Sequence, residues 1–224
     1  MTNPEQGEAG DVLPASARTT VHRYPEMQAY RRSDLHRVLD EGLVAHVGFL
    51  AAHGPVVIPM AYARDGEHLL MHGSTGSGLG LAGDAGVDLA VTVTIVDGLV
   101  YASSLYDSTF NYRSAMVFGT AIPVTDDERY AAVRAISERL MPGRWAEVRE
   151  PTRRELAATR VLKLPLAQAS VKISVGSPDT EVVDGLWTGE LPVAVRPLAP
   201  VPQPGVSAAV PPSVTRAAQN LERP

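Results

Sequence analysis

Val56-Val57-Ile58-Pro59-Met60-Ala61-Tyr62-Ala63-Arg64-Asp65-Gly66-Glu67-His68-Leu69-Leu70-Met71-His72 decides the fold class. Two apolar runs of strand length, Val56–Ala63 and Glu67–His72, meet at Asp65-Gly66. Asp-Gly between such runs signals a hairpin, because a type I′ turn needs positive φ at both central residues. Upstream, Leu43–Leu50 is another nearly continuous apolar run. Downstream the signal recurs at Asp97-Gly98, between Leu89–Val96 and Leu99–Ser104, and predicts a second hairpin. Val91-Thr92-Val93-Thr94-Ile95 alternates apolar and hydroxyl side chains, so one face is buried and the other wetter. Arg113–Val124, Val161–Leu166 and Ser170–Val175 add further strands. Many strands at short spacing predict a mainly β (α+β) fold, an antiparallel sheet closed into a barrel with a few flanking helices.

The helical signals are local. Ser33 is positioned to cap a helix with Leu35, Val38 and Leu39 on one face and Gly42 at its C′ position. Thr125-Asp126-Asp127-Glu128 is a capping box opening a helix whose apolar side carries Ala132, Val133, Ile136 and Leu140, stopped by Pro142-Gly143. Thr152-Arg153-Arg154-Glu155 is a second box, opening a shorter helix.

The chain has 224 residues, 45% of them hydrophobic and 20% charged, with a net charge of −5. That suits one large globular domain with appendages. Residues 1–22 are rich in Gly, Pro, Ala and acidic groups and read as a mobile arm. Residues 23–193 form the domain, and residues 194–224 a proline-rich tail, disordered or laid extended over a surface. Cysteine is absent, which removes disulfides, thiol catalysis and Cys-ligated metals and fits a reducing, cytoplasmic setting. No apolar run approaches the roughly 18 residues a membrane span needs. The basic residues do not gather, so nucleic acid is not an expected partner, and with no span-length apolar run neither is a membrane.

The sharpest chemical signal is His72-Gly73-Ser74-Thr75-Gly76-Ser77-Gly78, directly after a strand. Small residues let backbone N–H groups approach an anion, and three hydroxyls add donors, so the segment reads as a phosphate cradle or as a plain flexible loop. Gly78-Leu79-Gly80-Leu81-Ala82-Gly83 matches the dinucleotide fingerprint, but hairpins rather than βαβ units surround it. The six histidines show no metal-ligand spacing, and no metal site is expected. His46, inside an apolar strand, reads as a hydrogen-bonded core residue. In Asn111-Tyr112-Arg113-Ser114, Arg113 suits either a forked phosphate contact or a loop-end salt bridge. Trp145 and Trp187 suit either a core or a stacked ligand.

Taken in order, Ala45-His46-Val47-Gly48-Phe49, Val57-Ile58-Pro59-Met60, His72-Gly73-Ser74, Val96-Asp97-Gly98-Leu99-Val100, Asn111-Tyr112-Arg113-Ser114 with Gly119, Pro142-Gly143-Arg144-Trp145, Glu155-Leu156-Ala157-Ala158-Thr159 and Ala169-Ser170-Val171-Lys172 resemble the pyridoxamine 5′-phosphate oxidase-like family. The branch resembled is the one that includes nitroimidazole-resistance proteins. The resemblance implies a six-stranded antiparallel split β-barrel that forms a homodimer and binds FMN between subunits, with FAD or a deazaflavin as alternatives. Val57, Ile58, Pro59, Met60 and Tyr62 would lie along the flavin ring. His72, Gly73, Ser74 and Ser77 would surround the phosphate, with Asn111, Arg113 and Ser114 adding donors and Trp187 approaching the ring. Many relatives carry Arg or Lys just after the serine matching Ser77, where Gly78 stands here, and relatives of this branch often have Lys-x-Arg where this chain has Lys172-Ile173-Ser174. The implied function is an FMN-dependent oxidoreductase passing electrons or hydride to a small organic acceptor, with NAD(P)H as a possible donor. A non-catalytic flavin carrier or sensor, or a cofactor-free dimer, is the alternative; no catalytic side chain is assigned.

Overall fold

The computed structural model describes residues 11–74 and 85–222. The chain divides into two compact units: Met1–Pro59, Asp88–Thr120 and Pro165–Val193 form the first, and Met60–Val87, Ala121–Leu164 and Ala194–Pro224 the second. In chain order the regular elements are β1 (Gln28–Ala29), α1 (Arg32–Glu41), β2 (Ala45–Ala51), β3 (Gly54–Met60), β4 (Tyr62–Asp65), β5 (His68–Ser74), β6 (Val87–Tyr101) and β7 (Thr109–Pro123). Then follow α2 (Asp126–Leu140), α3 (Arg153–Ala158), β8 (Thr159–Pro165), β9 (Gln168–Ser174), β10 (Gly189–Pro192) and α4 (Pro212–Leu221). The mainly β, antiparallel class expected from the sequence holds. Ten strands stand among the described residues where the resemblance implied six; the break of the apolar run Val56–Ala63 at Ala61 and the short β1 and β10 are among the additions.

The first unit is a sheet in the order β3-β2-β6-β7-β9, with β1 on β9 and β10 on β6. β2 pairs with β6 through His46↔Thr92, Val47↔Val91 and Gly48↔Ala90, and β7 pairs with β9 from Tyr112↔Ser174 to Phe118↔Gln168. Val47, Val91, Val93, Val117, Ala169 and Val171 are buried, as are Leu35, Val38 and Leu39 of α1, a helix that packs on β9. The apolar spacing on α1 therefore faces the core as expected. Its start differs: Arg31, not Ser33, holds the N-cap, without a side-chain bond. The chain entering α1 is fixed instead by the backbone, where Arg32 N–H donates to Asp11 O at 2.8 Å and Val12 bridges Arg31. Gly42 follows the helix at φ −65°, so it is not a left-handed cap.

The second Asp-Gly pair makes no turn. β6 runs unbroken through Asp97-Gly98 for 15 residues. The burial phase instead slips: Leu89, Val91 and Val93 are buried before the pair, Gly98 and Val100 from it onward, the shift by one that a bulge produces. Gly98 answers a close approach. β10 pairs with this stretch through Glu190↔Val100 and Pro192↔Gly98, and a Cβ on Gly98 would stand 2.5 Å from Glu190 Oε1.

In the second unit Asp65-Gly66 does make its hairpin, β4 pairing with β5 up to Asp65↔His68. Gly66 has φ +54° and is joined by no other positive φ in the turn, which is the pattern of a II′ rather than a I′ turn. β8 lies beside β5, and α2 packs on β4 and β5. Ala63, Leu70, Val124, Ala132, Ile136 and Val161 form the core there, with Val133 at its margin. Both capping boxes close reciprocally, Thr125 with Glu128 and Thr152 with Glu155. Leu140, expected on the buried side of α2, is 47% exposed, because the helix ends there.

Within both end segments some of the described residues make specific contacts. Within the expected mobile arm, Leu13 and Thr19 are buried. Gln28 grips the segment from both sides, accepting from Val21 N at 2.8 Å and donating to Thr19 O at 2.9 Å. The tail ends in α4, which starts with Pro212 in its first turn, where a missing N–H costs nothing. The expectation that prolines exclude regular structure fails there for that reason. Glu147 holds this helix: Ser213 N–H donates to Glu147 Oε1 at 2.9 Å and the Ser213 hydroxyl to Oε2. No helix among the described residues is long and apolar enough to cross a membrane.

Candidate functional site

The residues singled out from the sequence divide between the two units. Val57, Ile58, Pro59, Asn111, Arg113, Ser114 and Trp187 belong to the first, and Met60, Tyr62, His72, Gly73 and Ser74 to the second. Ser77 and the glycine fingerprint after it lie outside the described residues.

In the first unit β3 ends the strand order and alternates, with Pro55, Val57 and Pro59 outward and Val56, Ile58 and Met60 half-buried. Prolines are tolerated on such an edge because they have no ladder bond to donate. Val57 is 67% exposed, so an edge backbone and an apolar side chain are presented together. His46, expected in the core, is exposed: it sits on the face opposite buried Ala45 and Val47, as period-2 alternation requires.

Arg113 is an ion-pair hub. Its Nε and Nη2 fork onto Asp97 at 2.9 and 2.8 Å, and Nη1 donates to Glu41. Asp97 holds the guanidinium pKa above its already high ordinary value. Three of its donors thus face carboxylates, and the triad carries one net negative charge. Asn111 is similarly engaged: buried, its Nδ2 donates to Gly176 O at 3.0 Å and to Glu190 Oε1 at 2.8 Å. Ser114 lies opposite Lys172, whose ammonium donates to Arg23 O at 2.8 Å. Trp187 is 66% exposed, its ring edge-on to Tyr101 at 5.6 Å.

In the second unit Tyr62 is a buried core residue, so its ring is not offered to a ligand. His72 and Ser74 stand at alternate positions of β5, both exposed, with Gly73 between them. Partial desolvation nevertheless pushes the His72 imidazole below its ordinary pKa. It is neutral at pH 7 and offers one N–H and one lone pair.

A feature that the sequence reading missed is an open cleft of about 590 Å³ in the first unit, walled by Val96, Leu99, Val100, Tyr101, Leu105 and Phe110. Its signal was present in Leu99-Val100-Tyr101 and Phe110, but an expected turn at Asp97-Gly98 scattered these residues. The carboxylates that hold Arg113 and Asn111 were missed too. Glu41, Asp97 and Glu190 are far apart in the chain: the sheet places Asp97 beside Arg113 and Glu190 beside Asn111, and the end of α1 brings Glu41 to Arg113.

The model of the family described as pyridoxamine 5′-phosphate oxidase matches residues 31–173. The chain belongs to the pyridoxamine 5′-phosphate oxidase family. Among solved structures of this fold, the FAD and heme binding protein from Mycobacterium smegmatis is 39% identical, with a TM-score of 0.80 over 86% of this chain and 97% of that one. The flavocytochrome Anf3 from Azotobacter vinelandii is 31% identical, with a TM-score of 0.84 over 90% of this chain and 96% of that one. A 5-nitroimidazole antibiotic resistance protein homologue from Bacteroides thetaiotaomicron shares 16% identity at a TM-score of 0.52 over 65% of this chain and 86% of that one, a likeness of fold alone. No curated protein matches. Family membership and these likenesses assign the split-barrel class that the sequence resemblance implied.

Proposed function

We propose that this protein binds a flavin and works as a redox protein. The observation carrying this reading is that two relatives above 30% identity, aligned over nearly their whole length, are named as flavin proteins. The M. smegmatis name favours FAD over FMN, the form implied by the sequence resemblance. Both names also include a haem or cytochrome, which favours a second reading with haem beside the flavin. Among the described residues no group of three or more His, Cys, Asp or Glu could hold a metal ion, but haem needs only one or two axial ligands. His46, exposed on β2, is a candidate in this chain.

The residues fit a flavin in part. The open edge of β3 at Val57–Pro59 in the first unit suits a planar ring, with backbone groups available at its rim. Taken by itself, the second unit offers His72 as a neutral donor of the kind a phosphate accepts from. Arg113 does not fit as a phosphate donor while Asp97 and Glu41 hold it, and Asn111 is occupied by Gly176 and Glu190. We assign these two to supporting the sheet, and Ser114 and Trp187 to the margin of the site.

A bound flavin would supply the hydride and electron chemistry, with NAD(P)H or another donor on one side and a small organic acceptor on the other. The chain's own share is to orient the ring and exclude water. A carrier without turnover is the alternative. We further propose a homodimer, supported by the exposed Leu50, Val57 and Met116 on the first unit, and a cytoplasmic setting, supported by the absence of cysteine.

The deciding experiment is the visible spectrum of the purified protein, followed by FMN, FAD and haem titration. A flavin band with a Soret band supports both groups, a flavin band alone supports the first reading, and neither with no titratable binding overturns both. Arg113→Ala is expected to leave flavin affinity within about threefold, since the lost ion pair is partly exposed. A loss of a hundredfold or more would return Arg113 to the phosphate.

A further inference from the structure

We propose that the cleft walled by Tyr101, Leu105 and Phe110 is a binding site for a flat, uncharged organic ring system. Its volume of about 590 Å³ falls in the range of small-molecule sites, roughly 300–1,000 Å³. None of its lining side chains carries a carboxylate, ammonium or guanidinium group. A charged ligand would lose hydration there without a partner, whereas an apolar ring loses nothing. The hydroxyl of Ser108, one of the few polar groups at the wall, is already engaged: it donates to Ser104 O at 2.8 Å and accepts from Ala102 N at 3.1 Å.

The walls are built in place. The 102–108 loop is closed on itself by Ser104 and Asp107, joined at 2.6 Å, which turns that carboxylate toward the loop. Phe110 leans on Tyr112 with ring centroids 4.9 Å apart, and Tyr101 meets Trp187 edge-on. Trp187 in turn lies over Gly189, where a Cβ would stand 3.1 Å from its ring. Tyr101 and Phe110 each line the cleft and each rest against a second ring, and aromatic walls favour a planar guest by stacking. The inference rests on the redox reading only for its purpose, which would be to hold the electron acceptor; binding itself does not depend on a flavin.

The test uses equilibrium dialysis of the purified protein, with the cofactor it retains, against 2-naphthol and its charged counterpart naphthalene-2-sulfonate. Neither is an electron acceptor, so the result is independent of turnover. 2-Naphthol is expected to bind and the sulfonate to bind at least about tenfold more weakly, the size of one lost aromatic contact or more. Phe110→Ala and Leu105→Glu should each weaken 2-naphthol by about tenfold on the same scale. Leu105 is 95% exposed, so its substitution leaves folding intact even where Phe110→Ala does not. Val201→Glu, at a 91% exposed position of the tail, should change nothing. Equal binding of the two probes, or 2-naphthol binding indifferent to both cleft substitutions, overturns the proposal. So does a dimer that Leu105→Glu dissociates with a gain in 2-naphthol binding, since a second copy then fills the cleft. If the naphthol pattern holds but no flavin binds, the redox reading fails and the site stands. If flavin binds and naphthol does not, the reverse follows.

Discussion

Single residues here are decided by what approaches them rather than by their own type. Gly98 has no positive φ to serve, yet a side chain there meets Glu190 Oε1, Glu190 Cγ at 3.2 Å and Leu191 O at 3.2 Å. Glu190 can swing away but the backbone carbonyl cannot, so Gly98→Ala should cost about 1–3 kcal/mol, read as a lower urea midpoint at unchanged m-value. His72 gives a pH prediction whose sign follows from its environment. Its folded-state pKa lies below the ordinary 6.5 through burial, so between those two values the unfolded chain holds more protons. Stability is therefore lost as pH falls through 6.5 toward the folded pKa. His72→Gln should flatten that part of the stability curve, and equal slopes for the two proteins would contradict the assignment. The identity of His72 as a neutral donor was half legible in the sequence, from its place before a Gly/Ser segment. Its protonation state was not, because that depends on how far folding strips water from the ring.

Elements whose signals are local were readable, and those whose fate rests on distant partners were not. The two capping boxes are written in four consecutive residues each, and both formed. Thr125→Ala and Thr152→Ala should each cost about 0.5–2 kcal/mol, typically nearer the middle. Thermal unfolding should rank Thr125→Ala as the more damaging, since α2 buries Ala132 and Ile136 while α3 buries no residue. The Ser33 cap failed because backbone bonds from the 11–13 segment set the start of α1 first. Likewise α4 could not be read from a proline-rich tail, since its anchor is Glu147, 66 residues earlier than Ser213. Hydrogen bonds from Ser213 hold the Glu147 carboxyl below its ordinary pKa, consistent with an ionised anchor. Glu147→Ala should speed amide exchange across residues 212–221 while leaving β-strand protection unchanged. Exchange altered throughout the protein would mean that Glu147 supports more than this helix.

For the whole molecule, exposed apolar residues on the first unit predict self-association. Sedimentation should give about twice the 23.8 kDa of one chain, with Leu50→Glu, at a 77% exposed strand position, shifting the balance toward monomer. A monomer at all concentrations would remove the dimer from the functional proposal. The sequence by itself determined the antiparallel β class, the first hairpin, both capped helices and the family. Each of these is encoded in short-range periodicity, turn chemistry or ordered motifs. Only the tertiary structure decided that β6 runs through Asp97-Gly98, because whether an Asp-Gly pair turns or continues depends on the strand laid across it. It also decided the fate of Arg113. A guanidinium pairs with whichever anion the fold brings near, and here Asp97 and Glu41, 16 and 72 residues away in the chain, reach it first.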